Sequence, residues 1–285
     1  MEGRASAPAA GTVLNALASG KGSAFAIDAE TTATVELDSS ESLSGEVAGE
    51  PDADTRLVER CVELAVAEYG PEEVSGGRVR TESEVPMAAG LKSSSAAANA
   101  TVLATLDALG VAEEVSREEA CLLGVRAACD VGVTVTGAFD DASASMLGGV
   151  TVTDNRSDEL LAREPIDWDV LVWTPPERAF SADADVSRCE RIAPVAELVA
   201  DLALDGRYAD AMTVNGFAFC AALSFPADPM LEALPDARGV SLSGTGPSFV
   251  AVGSREQLRA VRDNWNQRKG TTWLTTTRND GARTI

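Results

Sequence analysis

The chain has 285 residues, with 45 acidic against 23 basic side chains, no histidine and a formal net charge of −22 at pH 7. That balance argues against a nucleic-acid binder, which needs basic patches to neutralise phosphate. The absence of histidine excludes every Ser-His-Asp, Cys-His and His-metal arrangement, so acid–base chemistry falls to carboxylates, Lys, Tyr or Cys. The acids are dispersed, and Lys21, Lys92 and Lys269 are the three lysines. Acid enrichment with lysine depletion is expected of a cytoplasmic protein adapted to molar salt, where counterions screen its self-repulsion. Five scattered cysteines without a C-x-x-C read as free thiols in a reducing compartment, with Cys121 and Cys129 expected as core filler on one helix. No apolar run is long enough to span a bilayer, and Met1-Glu2-Gly3-Arg4 does not open a signal peptide. A small-molecule substrate is expected, with no membrane or nucleic-acid partner; oligomeric state is not legible.

Residues 24–27 and 32–37 are β-compatible, the latter by alternation. The polar stretch 39–54 reads as a loop or hairpin tip. Residues 55–69 place Leu57, Val58, Cys61, Leu64, Ala65 and Tyr69 at helical spacing, and Gly70-Pro71 ends that helix. Residues 77–85 read as a short strand, and 94–109 as an Ala-rich helix stopped by Gly110. Ser116-Arg117-Glu118-Glu119 has the form of a capping box opening a helix to about residue 129. Residues 131–136 and 148–152 are strand-like and 154–163 is polar, which places a domain boundary near 155. Residues 170–173 form a strand ending at Pro175-Pro176. Residues 188–223 read as helical with interruptions at Pro194 and Gly206. Residues 240–242, 249–252 and 273–277 read as strands, and 256–269 as a helix. Strands and helices without a regular βαβα repeat predict an α+β fold, divided into an N-terminal domain (1–155) and a C-terminal domain (156–285).

Three segments stand out chemically. Pro86-Met87-Ala88-Ala89-Gly90-Leu91-Lys92-Ser93-Ser94-Ser95-Ala96 runs a small-residue loop into a helix N-terminus, where unpaired N–H groups and the helix dipole favour an anion. Its plainer reading is a Ser cap on a buried helix. Thr136-Gly137-Ala138-Phe139-Asp140-Asp141-Ala142 leads to Gly148-Gly149, and its plainer reading is a surface turn with two solvated acids. Leu242-Ser243-Gly244-Thr245-Gly246-Pro247-Ser248 precedes an apolar strand and also encodes a tight turn. A Walker A sequence is absent: Gly20-Lys21-Gly22 lacks both the upstream Gly and the Ser/Thr. Asn215-Gly216 lies within helical periodicity and is assigned no chemistry.

In this order the three segments resemble the motifs of the GHMP kinases, the family of galactokinase, homoserine kinase and mevalonate kinase. The first matches the family's P-x3-G-L-x-S-S-x-A phosphate loop. The second, together with Gly20-Lys21-Gly22-Ser23-Ala24-Phe25-Ala26-Ile27-Asp28, looks most like the archaeal shikimate kinases of that family. The resemblance implies a two-domain GHMP kinase architecture, with an N-terminal domain like domain 2 of ribosomal protein S5, a ferredoxin-like C-terminal domain, and ATP between them. It implies a Mg²⁺-dependent phosphotransferase with an alcohol acceptor, giving 3-phosphoshikimate. The alternatives are homoserine or mevalonate as substrate, or a non-catalytic ligand-binding protein on the same fold.

By resemblance, Pro86, Ala88, Ala89, Gly90, Leu91, Lys92, Ser93, Ser94, Ser95 and Ala96 hold the nucleotide. Asp141, seven residues before Gly148, is the catalytic base, with Asp140 as its fallback. Asp130, eleven before Asp141, and Ser94 bind Mg²⁺. Mevalonate kinases carry A-P-G-K-V near the N-terminus; here Ala7-Pro8-Ala9-Ala10-Gly11-Thr12-Val13 lacks the lysine. Lys21 is therefore expected to approach the catalytic Asp, or to hold a substrate carboxylate. Asp140 and Thr245 are further substrate candidates.

Overall fold

A computed structural model describes residues 1–40, 42–85, 89–134, 137–176 and 185–285. Two sheets organise it. The first is built on two long strands, β1 (Glu2–Leu14) and β2 (Lys21–Asp38), which pair antiparallel along almost their whole length. On its other edge β2 meets two partners in succession. Its first residues pair with β5 (Val150–Asp154) and its last eight with β4 (Gly76–Ser83). β3 (Leu43–Val47) adds in parallel to β4, and β6 (Glu159–Glu164) adds antiparallel to β5. The chain ends here too, because β11 (Arg283–Thr284) pairs with β1. The second sheet has the order β10-β7-β9-β8, formed by β7 (Asp169–Thr174), β8 (Gly239–Leu242), β9 (Phe249–Gly253) and β10 (Thr271–Thr276), all antiparallel. With helices between β7 and β8 and between β9 and β10, that order is the βαββαβ arrangement of a ferredoxin-like sandwich.

Against the first sheet pack α1 (Arg56–Tyr69), α2 (Ser93–Ala108) and α4 (Phe139–Leu147), and α3 (Arg117–Val131) packs on these three helices. α2 is the central one. It touches β1 and β2 on one side and α1, α3 and α4 on the others, so it is buried nearly all round. This explains its Ala-rich composition: small side chains let it lie close to the strands. A Cβ on Gly3 of β1 would stand 2.2 Å from the Ala104 carbonyl oxygen of α2. The capping box at the start of α3 is formed, with Ser116 accepting from the Glu119 N–H and Glu119 accepting from the Ser116 N–H.

A 3₁₀ segment (Val186–Ile192) leads into α5 (Ala193–Leu204) and α6 (Tyr208–Leu223). Pro194 sits in the first turn of α5, where its missing N–H costs nothing, so it starts a helix rather than interrupting one. α7 (Asp228–Ala233) and α8 (Gln257–Trp265) complete the fold. Alternation along β7 divides two cores. Val170 and Val172 join Phe25, Ile27 and Val150 of the first sheet and Ala196 and Val199 of α5; Leu171 and Trp173 join Val261 and Trp265 of α8. The former core runs continuously between the two sheets. At roughly 1.5–3 kcal/mol for each fully buried large apolar side chain, it is the main bond between them.

The sheets do not divide at residue 155. β6 and the β11 segment both belong to the first sheet, and the second begins at β7. Residues 131–134 contain the end of α3 and no strand. Cys121 is buried as expected, but Cys129 is exposed. Among the described residues no helix is long and apolar enough to cross a membrane.

Candidate active site

Two helix N-termini and a glycine loop converge on one cavity of about 480 Å³. The α2 terminus supplies Gly90 and residues 92–95 to its wall. Lys92 is the cap residue, in the left-handed conformation at φ 64°, and no side chain caps the helix. The first intrahelical bond runs from the Ala96 N–H to the Lys92 carbonyl, so the N–H groups of Ser93, Ser94 and Ser95 stand ahead of the ladder at the positive end of the dipole. Ala89, Leu91 and Ala96 are buried behind them. Pro86 and Ala88 lie outside the described residues.

The second terminus belongs to α4. Gly137 (φ 80°) and Ala138 (φ 55°) turn the chain through two left-handed residues into the first turn, which carries Asp140 and Asp141. Asp141 faces the cavity, and its Oδ1 lies 2.8 Å from the Lys92 ammonium. The contact is one of charge rather than of aligned hydrogen bonding, since Oδ1 accepts no well-directed bond. Asp140 is buried. Its Oδ1 accepts from Asn155 Nδ2 at 2.7 Å, and its N–H donates to Asn155 Oδ1 at 3.1 Å. Burial pushes its carboxyl up to about 7; the Asp141 carboxylate acts in the same direction, while Lys92 and Asn155 pull back in part.

The third wall is the loop between β8 and β9. Ser243 Oγ donates to the Gly90 carbonyl at 2.8 Å, and a Cβ on Gly90 (φ 77°) would stand 2.3 Å from the Ser243 carbonyl oxygen. The Gly244 N–H donates to Thr12 Oγ1, and Asn15 Nδ2 donates to the Gly244 carbonyl. Asn15 is itself held through its N–H by Asn215 Oδ1. Gly244 and Thr245 thereby reach the cavity. Asn15, Asn155 and Asn215 are buried or half-buried polar residues with structural tasks at the site. None belongs to a motif, and their signal was at most that of an Asn in an otherwise apolar or turn context.

Two sequence expectations are not met by position. Lys21 does not line the cavity; it stands at the start of β2, 2.8 Å from Glu197 of α5. Asp130 lies on the outer face of α3, exposed, with its carboxylate 2.8 Å from the Arg60 guanidinium. Helical periodicity explains this: Ala128 and Val131 turn to the cavity, and Asp130 between them does not share their face. The cation that meets Asp141 comes instead from the start of α2, as Lys92.

An anion cradle facing a carboxylate–ammonium pair is the equipment of a phosphoryl-transfer enzyme. The GHMP kinases N terminal domain matches residues 56–149. Over its full length the chain is 66% identical to the shikimate kinase of Halobacterium salinarum, covering 100% of both chains. It is 52% identical to the shikimate kinase of Methanosarcina mazei, over 99% of this chain and 96% of that one. Among solved structures, homoserine kinase from Cytophaga hutchinsonii superposes with a TM-score of 0.80 at 16% identity, covering 100% and 97% of the two chains. The mevalonate kinase of Methanococcus jannaschii superposes at 0.75 and 14%, covering 97% and 98%. The chain belongs to the GHMP kinase family.

Proposed function

We propose that this chain transfers the γ-phosphoryl group of ATP to shikimate, giving 3-phosphoshikimate and ADP. The observation that carries this reading is full-length similarity to shikimate kinases, at 66% identity with the Halobacterium salinarum protein. The cavity geometry agrees with it. The N-terminal amides of α2 bind phosphate oxygens, and the β8–β9 loop covers them from the other side. We assign the apolar end of the cavity, walled by Val47, Leu57, Val58, Val125 and Val131, to the adenine ring. Asp141 acts as general base. It accepts the proton of the attacking hydroxyl as that oxygen bonds the γ-phosphorus, and the electron pair of the breaking bond leaves on the β-phosphate. Asp140 holds the first turn of α4 through Asn155, which fixes the direction in which Asp141 points.

The Asp141 carboxylate already takes up the charge of Lys92, so a polyphosphate at that end of the cavity requires added positive charge. Among the described residues no cluster of three or more acidic, Cys or His side chains forms a metal cage. Both facts fit Mg²⁺ brought in with the nucleotide, which keeps waters and phosphate oxygens as ligands and takes few from protein. Ser94, or its neighbour Ser93, would supply that hydroxyl ligand, and the ion would neutralise charge developing on the transferred group. The acidic surface and free thiols support a cytoplasmic enzyme working in concentrated salt.

The test is a substrate panel. Purified protein with Mg-ATP should release ADP on adding shikimate, and much less with homoserine or mevalonate. Turnover on either of those with none on shikimate overturns the substrate and leaves the family standing.

A further inference from the structure

The Lys92 side chain is only 6% exposed, yet it carries an ammonium. Burying such a charge is costly unless it is paired, and the residue also adopts a left-handed backbone that non-glycine residues seldom occupy. A lysine bound for bulk phosphate needs neither. Both features follow if the side chain must reach one point. The left-handed turn directs Lys92 away from the helix axis and across to α4, where Nζ meets Asp141 at 2.8 Å. Gly244 closes the far side: a Cβ there would stand 2.9 Å from Nζ, so the β8–β9 loop leaves room for the ammonium and for little else. The lysine thus joins all three walls of the cavity.

We propose that Lys92 is a positioning residue for Asp141: its ammonium holds the base aimed at the acceptor hydroxyl, and couples it to the loop on which the donor sits. This rests on the reading of Asp141 as the base. Among the described residues, the other charges lining the cavity are Asp140 beside Asp141 on α4 and, across it, Asp54 and Arg56, which bond to each other. Lys92 is the cation in contact with Asp141, at 2.8 Å. Asp141 Oδ1 is turned to that ammonium and buried.

The experiment is a double-mutant cycle of Lys92→Met and Asp141→Asn, with kcat and KM for ATP read for each. Lys92→Met should lower kcat by ~10²-fold while KM for ATP moves by less than about threefold. In the Asp141→Asn background, Lys92→Met should cost little more, because the two act as a unit. Lys92→Arg should restore part of the rate. If Lys92→Met does not fold, Lys92→Gly, which the left-handed backbone accepts, takes its place. A large rise in KM for ATP with kcat unchanged, or fully additive losses, overturns the proposal in favour of a plain phosphate ligand. Near-normal turnover in Asp141→Asn would instead remove the base reading itself; loss there without loss in Lys92→Met removes only the role of the lysine.

Discussion

At the scale of residues, two neighbouring aspartates in one helical turn have opposite environments. Asp141 meets an ammonium at the cavity, whereas Asp140 is buried against Gly22 and Asn155 and its carboxyl is pushed from 3.8 up to about 7, chiefly by burial. The sign of the consequence is fixed. Between about pH 4 and about pH 7 the folded chain keeps a proton that the unfolded chain has released, so this group's contribution falls as pH rises through that window and is flat above it. Asp140→Asn keeps the shape and the bond from Asn155 but removes the charge. It should raise the melting temperature near pH 8 and leave it almost unchanged near pH 4, where both side chains are neutral. Thermal melts across that range test this, and an equal shift at both ends would show that ionisation is not the cause. The metal assignment is tested nearby. Asp130→Ala should leave the Mg²⁺ dependence of activity unmoved, because its carboxylate is spent on Arg60 at the surface. Ser94→Ala should raise the Mg²⁺ concentration required. The reverse pattern would return Asp130 to the site.

At the scale of elements, the site is an assembly of helix starts and one loop. The start of α2 was legible because a loop of small residues followed by serines and an Ala-rich run reads as a helix N-terminus, whether it holds an anion or only a cap. The second terminus was less so. Residues 137–142 carry two positive-φ positions and two acids, a pattern that also reads as a surface turn; the structure makes them the entry to α4 because Phe139, Ala142 and Met146 find apolar partners beneath. β1 was not foreseen at all. Its Ala, Gly, Ser and Pro have low strand propensity, and it exists because α2 presses on one face and β2 supplies its hydrogen bonds. The β8–β9 loop depends on the same closeness. Gly90→Ala places a methyl group against the Ser243 carbonyl and asks a left-handed position to take an L side chain. We expect a melting temperature lower by several degrees and a kcat reduced by more than tenfold, the loss falling on kcat because the loop no longer seats beside Lys92. A variant with parent activity would show that the contact is incidental.

At the scale of the whole molecule, charge dominates. Ion pairs such as Arg60–Asp130, Arg126–Glu68 and Arg207–Asp210 are exposed and worth little each. They offset few of the 45 acids, and a net charge of −22 makes the compact state repel itself when counterions are scarce. The Debye length shrinks from ~10 Å at 0.1 M to ~3 Å at 1 M salt. Stability and activity should therefore rise from dilute buffer to molar KCl, and NaCl should act comparably, because screening depends weakly on the monovalent ion. A melting point as high in dilute buffer as in molar salt would remove salt adaptation as the reason for the acidic surface and favour a basic partner instead.

The sequence by itself determined the chemistry available and the local forms that carry it. No histidine left acid–base chemistry to carboxylates, Lys, Tyr or Cys; a serine run before an Ala-rich helix read as an anion site or a helix cap; Ser116 with Glu119 meant a helix start. These are properties of neighbours in the chain, where spacing alone says what can touch. Which lysine meets Asp141 is a different kind of question. The sequence reading gave that place to Lys21 and set Lys92 among the residues that hold the nucleotide; the outcome turns on how β2 pairs with β5, where α5 places Glu197, and how a left-handed turn at residue 92 directs a side chain across to α4. Asp130 shows the same limit: its spacing from Asp141 fitted a ligand, while the rotation of α3 gave it to Arg60. Contacts between residues far apart in sequence are set by sheet pairing and helix packing, and only the tertiary structure decided them.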